Sequence, residues 1–160
     1  MAIYMKYASI DGDVTTEGYS KYIELNSVQW GVGRGVAMQS GSGEGRESSL
    51  PSLSEVTVTK DYDVSSPDLL KEGLSGGAKD VDIVFTRTNK SGSGVDKYLE
   101  VKLKDVIMSG LSMSSGGDKP SESLSLNYSS ISFVSIPMKD DGTQGTQSVV
   151  NFDLKTMKMS

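Results

Sequence analysis

Residues 56–70 read VTVTKDYDVSSPDLL, and the prediction of the fold starts from the change of pattern within them. The first part alternates apolar and polar residues with period two, which is typical of a β-strand with one buried face and predicts a strand over 55–61. The second part carries Ser65 as a helix cap, Pro67 at the first helical position and an acidic residue in the first turn. This part predicts a short helix over about 66–75.

The predicted helix is too short to be stable alone, because isolated helices below about 12 residues are marginal in water. We therefore expect its apolar residues to pack against the sheet or against a neighbouring subunit. Packing against the chain's own core is the simpler alternative. The apolar residues concerned are Leu69, Leu70 and Leu74.

The strand pattern recurs on both sides of this region. Short alternating runs lie between clusters of Gly, Ser, Asp and Asn, which is typical of antiparallel strands joined by turns, and further strands are predicted at 3–8, 81–87 and 149–159. A length of 160 residues suits one domain spanning 1–160. The chain is predicted to be mainly β: a small antiparallel β-barrel or two-sheet sandwich with one short α-helix and one extended loop.

Three predicted strands change the face that they bury. The changes fall between Leu25 and Val28, between Leu103 and Val106, and between Tyr128 and Ile131. A shift of one residue turns every later side chain to the other face, so a bulge or a sharp bend is expected at each point. Long strands that change face suit a curled sheet or a barrel.

The extended loop covers about 38–52 and is polar, glycine-rich and too long for a tight turn. Loops of this length in compact domains are usually functional or disordered, and the sequence favours neither alternative. In the functional alternative the loop is an arm that becomes ordered against a partner. Arg46 and Glu47 are able to pair there, and Leu50 is able to anchor the arm.

Composition excludes most chemistry. The chain has no cysteine and no histidine, so thiol nucleophiles, disulfides, imidazole bases and Cys/His zinc sites cannot form from it. The net charge of −5 argues against nucleic acid or an anionic membrane as the partner. The N-terminal run 1–7 alternates, no run reaches membrane-spanning length, and we expect no cleaved signal peptide and no membrane insertion.

Candidate catalytic and ligand motifs are weak. The glycines of 31–35 lack the G-x-G-x-x-G spacing of a nucleotide loop, and the acidic cluster at 11–17 lacks the ligand pattern of a calcium loop. No serine lies in a nucleophile elbow, although spacing leaves a Ser–Lys pair open. We predict no enzyme activity, no metal and no cofactor.

Several strands carry polar residues opposite their apolar set. Ser123, Ser125 and Asn127 alternate with leucines, and Lys102 and Lys104 flank Leu103. The pattern indicates a sheet with one dry and one wet face. The wet face is either an outer surface or the lining of a water-filled channel, and composition does not separate the two.

The order of these features resembles the Hcp family, the tube proteins of the type VI secretion system, across essentially the whole chain. The matching pieces are 1–7, 10–12, 23–33, 56–70, 98–107 and 122–129, of which 56–70 is the most specific. The Met-rich end at 156–160 departs most from the family pattern.

The resemblance implies a structural subunit that forms hexameric rings stacked into a tube. It also implies effector proteins carried and protected in the ring lumen, a spike protein and a contractile sheath as partners, and a bacterial cytoplasmic protein that is then secreted. By the same resemblance Gln29 faces the lumen. The implied ring-stacking loop residues are Ser42, Gly43, Glu44, Gly45, Arg46, Glu47 and Leu50.

Two related functions stay open at this point. One is a ring that never stacks and acts as an effector chaperone. The other is the tube protein of a phage-like contractile injection system, which shares the architecture.

Overall fold

The computed structural model of the chain describes residues 1–37 and 48–160. Twelve strands and one helix lie in these residues. In chain order they are β1 (Ala2–Tyr7), β2 (Ile23–Leu25), β3 (Ser27–Gln29), β4 (Val32–Gly33), β5 (Ser52–Leu53), β6 (Val56–Asp61), α1 (Ser66–Ser75), β7 (Lys79–Thr88), β8 (Val95–Ser114), β9 (Ser121–Asn127), β10 (Ser130–Ser135), β11 (Ser148–Asp153) and β12 (Lys158–Met159).

Two antiparallel sheets share the 20-residue strand β8. The first sheet has the order β12–β11–β10–β8–β7–β1–β2, and it uses the N-terminal half of β8. The second has the order β3–β6–β9–β8 and uses the C-terminal half. The short pair β4–β5 forms a separate arm, which continues through a bridge between Val36 and Ser48.

The three predicted changes of face are confirmed, and each lies where the chain leaves one sheet for the other. Asp105 lies inside β8 with a φ of 51°, at the point where pairing passes from the first sheet to the second. Asn26 separates β2 from β3, and its N–H donates to the Thr59 carbonyl at 2.7 Å. Ser129 lies between β9 and β10.

The prediction of a mainly β, antiparallel chain with one short helix is confirmed. Over the described residues the hydrogen-bonded strands do not close into a barrel. Of the two predicted alternatives, barrel and two-sheet sandwich, the structure therefore fits the two-sheet sandwich. The physical reason is the break at Asn26, where β2 and β3 are separate three-residue strands that pair in different sheets.

One predicted strand is wrong in its extent. The run 149–159 folds as β11 and β12 with a turn between them. The Asp153 carboxylate accepts hydrogen bonds from the N–H groups of Lys155 at 2.8 Å and Thr156 at 3.3 Å, and Met157 has a φ of 57°. An Asp side chain that accepts hydrogen bonds from the N–H groups two and three residues later favours a turn over a strand. The alternation of apolar and polar residues does not reveal this effect.

The core lies between the two sheets and under α1. Its fully buried apolar side chains come from β1, including Tyr7, from β2, β6, β7, β8 and β9, and from Leu69 of α1. The strand members include Met5, Ile23, Val56, Val58, Ile83, Val101, Leu103, Val106, Leu124 and Leu126.

Helix α1 begins and ends as predicted, although Ser65 makes no side-chain cap to the helix. The Ser65 N–H instead donates to Asp63 at 2.9 Å. Leu69 is fully buried, whereas Leu70 is 48% and Leu74 77% exposed. Packing within the chain therefore accounts for Leu69, whereas Leu70 and Leu74 lie largely exposed on the surface of α1.

Candidate functional site: a polar sheet face and an apolar groove

The outward face of the second sheet is lined by small polar side chains. Register places Ser27, Thr59, Ser123 and Ser112 in one row and Gln29, Thr57, Ser125 and Gly110 in the next. We call these side chains the hydroxyl face. Side chains alternate along a strand, so the face lies opposite the core residues Val58 and Leu124.

The two rows of the hydroxyl face are themselves uncharged, with the carboxylates of Glu55 and Asp61 at the two ends of β6, and they are partly linked by their own hydrogen bonds. Ser27 Oγ lies 2.5 Å from Thr59 Oγ1 across β3 and β6. Its side chains are exposed or half-buried, and Gln29 is exposed on the outer strand β3. Such a surface hydrates easily and presents uncharged hydrogen-bond donors and acceptors.

The structure brings together residues that the sequence identified separately. Gln29, predicted to face a lumen, shares the hydroxyl face with Ser123 and Ser125. Thr57 and Thr59 belong to it and were not singled out, although the alternation of β6 would have placed them there.

Lys102 and Lys104 lie elsewhere, on the polar face of the first sheet. That face is charged: Glu100 is 2.6 Å from Lys97 Nζ and 3.2 Å from Lys102 Nζ. Burial alone would raise the pKa of Glu100, but the hydrogen bonds and charges of these two lysines outweigh burial and lower that pKa below its usual value. For Asp82, burial and then the nearby Glu100 carboxylate raise the pKa.

An open apolar groove of about 360 Å³ lies where the arm joins the first sheet. Trp30 and Phe133 meet at its floor, with ring centroids 6.1 Å apart. Its walls come from β4, β5, β10, β11 and β12. We call it the apolar groove, and its lining residues are Trp30, Val32, Pro51, Leu53, Ile131, Phe133, Val150, Phe152 and Met159.

Only one residue of the predicted stacking loop lies among the described residues. Ser42, Gly43, Glu44, Gly45, Arg46 and Glu47 lie outside the described residues. Leu50, the remaining member, lies on the arm and is 68% exposed. The arm is held by its own ladder, for example the Ser49 N–H donating to the Gly35 carbonyl at 2.8 Å.

The structure also contains a Ser–Lys pair, which the sequence left open. Lys60 Nζ is 3.2 Å from Ser66 Oγ, 2.8 Å from Glu122 and 3.0 Å from Asp63. The Lys60 side chain is fully buried. Because this ammonium bonds two carboxylates and the Ser66 hydroxyl donates to Glu122, the group cannot serve as an activated nucleophile and base. It links α1 to β6 and β9.

Within the described residues, no group of three or more Asp and Glu side chains is arranged to hold a metal ion. In the same part of the chain no helix has the length and hydropathy needed to cross a bilayer.

Comparison with protein families matches residues 4–134 to the family described as type VI secretion system effector, Hcp. The chain belongs to the Hcp family. A comparison with curated protein sequences gave no significant match.

Solved structures described as type VI secretion system proteins or as Hcp proteins share the fold. The chain is 24% identical to one described as a type six secretion system protein, with 99% of each chain covered and a TM-score of 0.90. Hcp1 from Salmonella typhimurium is 23% identical over 99% of this chain and 98% of its own, with a TM-score of 0.77. A type VI secretion system effector from Yersinia pestis is 21% identical, covers 94% and 98%, and has a TM-score of 0.69.

Proposed function

We propose that this Hcp chain is a structural subunit of the inner tube of a type VI secretion system, forming hexameric rings that stack with the hydroxyl face toward the lumen. Effector proteins are carried and protected in that lumen, and a spike protein and a contractile sheath are its other partners. The subunit is made in the bacterial cytoplasm and secreted without a cleaved signal peptide. It is not an enzyme.

The observation that carries this proposal is the hydroxyl face in a chain of the Hcp family. A channel that passes different folded cargoes needs a hydrated wall that holds none of them through strong charge. Four adjacent strands present such a wall, with Gln29 on the outer one. The first sheet, with Glu100 and its lysines, presents a charged surface instead.

Mechanical delivery also explains the absence of a catalytic arrangement at the Ser–Lys pair. Ser66 and Lys60 are sealed inside the chain and satisfied by carboxylates, which suits a rigid building block. A repeating unit that bears force gains from a helix fixed to its sheet.

Mass measurement tests the proposal directly. Native mass spectrometry of the purified chain should give a species of six times the monomer mass, and sedimentation should show larger assemblies as concentration rises. A monomer at every concentration overturns the proposal.

Deletion of residues 41–47 separates stacking from the non-stacking chaperone alternative. If the chain stacks through its loop, the deleted variant keeps the ring mass and loses the larger assemblies. Unchanged sedimentation of the variant would contradict loop-mediated stacking.

A further inference from the structure

We infer that the apolar groove is the receptor for the arm of a second copy of this chain, with Leu50 as the inserted side chain. The inference rests on the proposed function, because it names the contact through which copies associate. It adds a specific pair of surfaces to the expectation that Leu50 belongs to the stacking loop.

The groove exposes apolar walls that its own chain leaves uncovered. Val150 is 49% exposed, Val32 63% and Met159 74%. Trp30 and Phe133 lie between them. Contiguous apolar surface of this kind on a soluble protein marks an interaction site.

The same chain carries an apolar group that projects without cover. Leu50 precedes Pro51, which lines the groove, and consecutive side chains of an extended segment point to opposite sides. Leu50 therefore faces away from its own groove, and it is 68% exposed. A head-to-tail contact between copies joins two different surfaces of the same chain. The exposed Leu50 and the apolar groove are two such surfaces.

The sequence disfavours cover by the chain's own loop. Residues 38–47 contain Met38 as their one large apolar residue, and the others are Gln, Ser, Gly, Glu and Arg. Such a segment has too little apolar surface to fill a recess of about 360 Å³ lined by aromatic and aliphatic side chains. A second copy offers Leu50 together with Val36, which is 50% exposed on the same arm.

Strand β11 supplies a variant and a matched control. Val150 pairs with Phe133 on the groove side, whereas Val149 pairs with Val134 and lies on the opposite face. The two valines are 49% and 44% exposed. Lysine at either position changes the charge of the same strand equally, but only Val150→Lys places an ammonium in the groove.

Concentration-dependent sedimentation, with mass measurement, should show that Val150→Lys requires about tenfold or more protein to assemble than the wild-type chain. Val149→Lys should assemble within about twofold of wild type, because its face is not the receptor. The inference is overturned if both variants lose assembly equally. It is also overturned if Val150→Lys assembles at the wild-type concentration, which would indicate another occupant of the groove, such as an apolar ligand. Met159→Lys, on the neighbouring strand β12 of the same wall, repeats the test if Val150→Lys loses its circular dichroism spectrum.

Charge reversal identifies the inserted residue. Leu50→Asp alone should lose assembly as Val150→Lys does, and the double variant should recover at least part of it, because a carboxylate then meets the lysine. A double variant no better than either single one overturns the assignment of Leu50. If the wild-type chain assembles and these variants assemble equally well, only this inference is rejected. If the wild-type chain never assembles, the proposed function itself is rejected.

Discussion

Lys60 is a fully buried charged residue that connects α1 to strands β6 and β9. Its buried ammonium satisfies Glu122 and Asp63 at once, and Ser66 completes the network from the first turn of α1. Removing one partner from such a network leaves buried charge without compensation, which costs more than the network contributes when intact.

We predict that Lys60→Met lowers the free energy of unfolding by about 3–5 kcal/mol, because Glu122 and Asp63 lose their counter-charge inside the protein. Urea denaturation of the purified variant measures this. Lys71→Met is the matched control: Lys71 is 78% exposed and lies 3.7 Å from Asp68, so its loss should cost less than about 1 kcal/mol. Equal losses in the two variants would contradict a structural role for the Lys60 network.

Glu100 gives the fold a dependence on pH. Its pKa is lowered in the folded chain, because Lys97 and Lys102 outweigh the effect of burial. A lowered folded pKa stabilises the fold above the unfolded pKa, and this stabilisation is lost as pH falls through the folded value. Glu100→Gln should therefore reduce the free energy of unfolding near pH 7, with a difference from wild type that shrinks in acid.

Unfolding of Glu100→Gln by urea at a series of pH values tests this sign. Glu24→Gln is the matched control, because it removes an exposed carboxylate in β2 that lies outside the network of Glu100, Lys97 and Lys102. A Glu100→Gln chain more stable than wild type near pH 7 would show that burial, and not the two lysines, controls the pKa of Glu100.

The change of sheet at the middle of β8 is the clearest feature at the scale of elements. Asp105 has a φ of 51°, a left-handed conformation that Asp tolerates and β-branched residues do not. Its carboxylate accepts a hydrogen bond from Ser129 Oγ at 2.9 Å, which joins two of the three sheet changes.

Asp105→Val should destabilise the chain by about 1–2 kcal/mol, from the backbone conformation alone. Lys104→Val places the same residue at the neighbouring exposed position and should change stability by less than about 0.5 kcal/mol. Asp105→Gly separates backbone from side chain, since glycine accepts the conformation. Thermal unfolding compares the three, and equal melting temperatures for Asp105→Val and Lys104→Val would contradict the role of this corner.

Periodicity in the sequence was sufficient to find these corners and was insufficient elsewhere. A change of face at Asp105 is visible because core residues lie on both sides of it. The turn between β11 and β12 is hidden, because β11 is exposed on both faces over residues 148–151 and so carries no alternation to interrupt. Burial of Leu69 but not of Leu70 or Leu74 depends on how α1 sits on β8, which local pattern does not encode.

At the scale of the whole molecule, the net charge of −5 affects assembly. The proposed ring of six copies would carry six times that charge, and its copies would repel one another at low ionic strength. Raising the salt concentration from low to physiological should therefore promote stacking, because the Debye length falls to about 8 Å. Sedimentation over a salt series measures this, and assemblies that dissociate as salt rises would instead indicate contacts dominated by ion pairs.

The candidate site could be predicted only in part. Single strands showed polar alternation at Ser123 and Ser125, and a resemblance pointed to Gln29, but only strand register shows that they share one surface. The apolar groove had no sequence signal, because its walls come from two parts of the chain that are distant in sequence, one around β4 and β5 and the other around β10, β11 and β12. Non-local surfaces of this kind require the fold to be known first.

The orientation of the hydroxyl face is tested most directly by gold labelling. The chain has no cysteine, so Gln29→Cys creates a unique site for a maleimide-gold label. A separate variant, Lys71→Cys, carries the label on α1, away from the hydroxyl face, at a side chain that is 78% exposed. In negative-stain images of rings we predict gold at the centre for Gln29→Cys. Gold at the outer rim for Gln29→Cys, or particles that form no ring before or after labelling, would contradict the account.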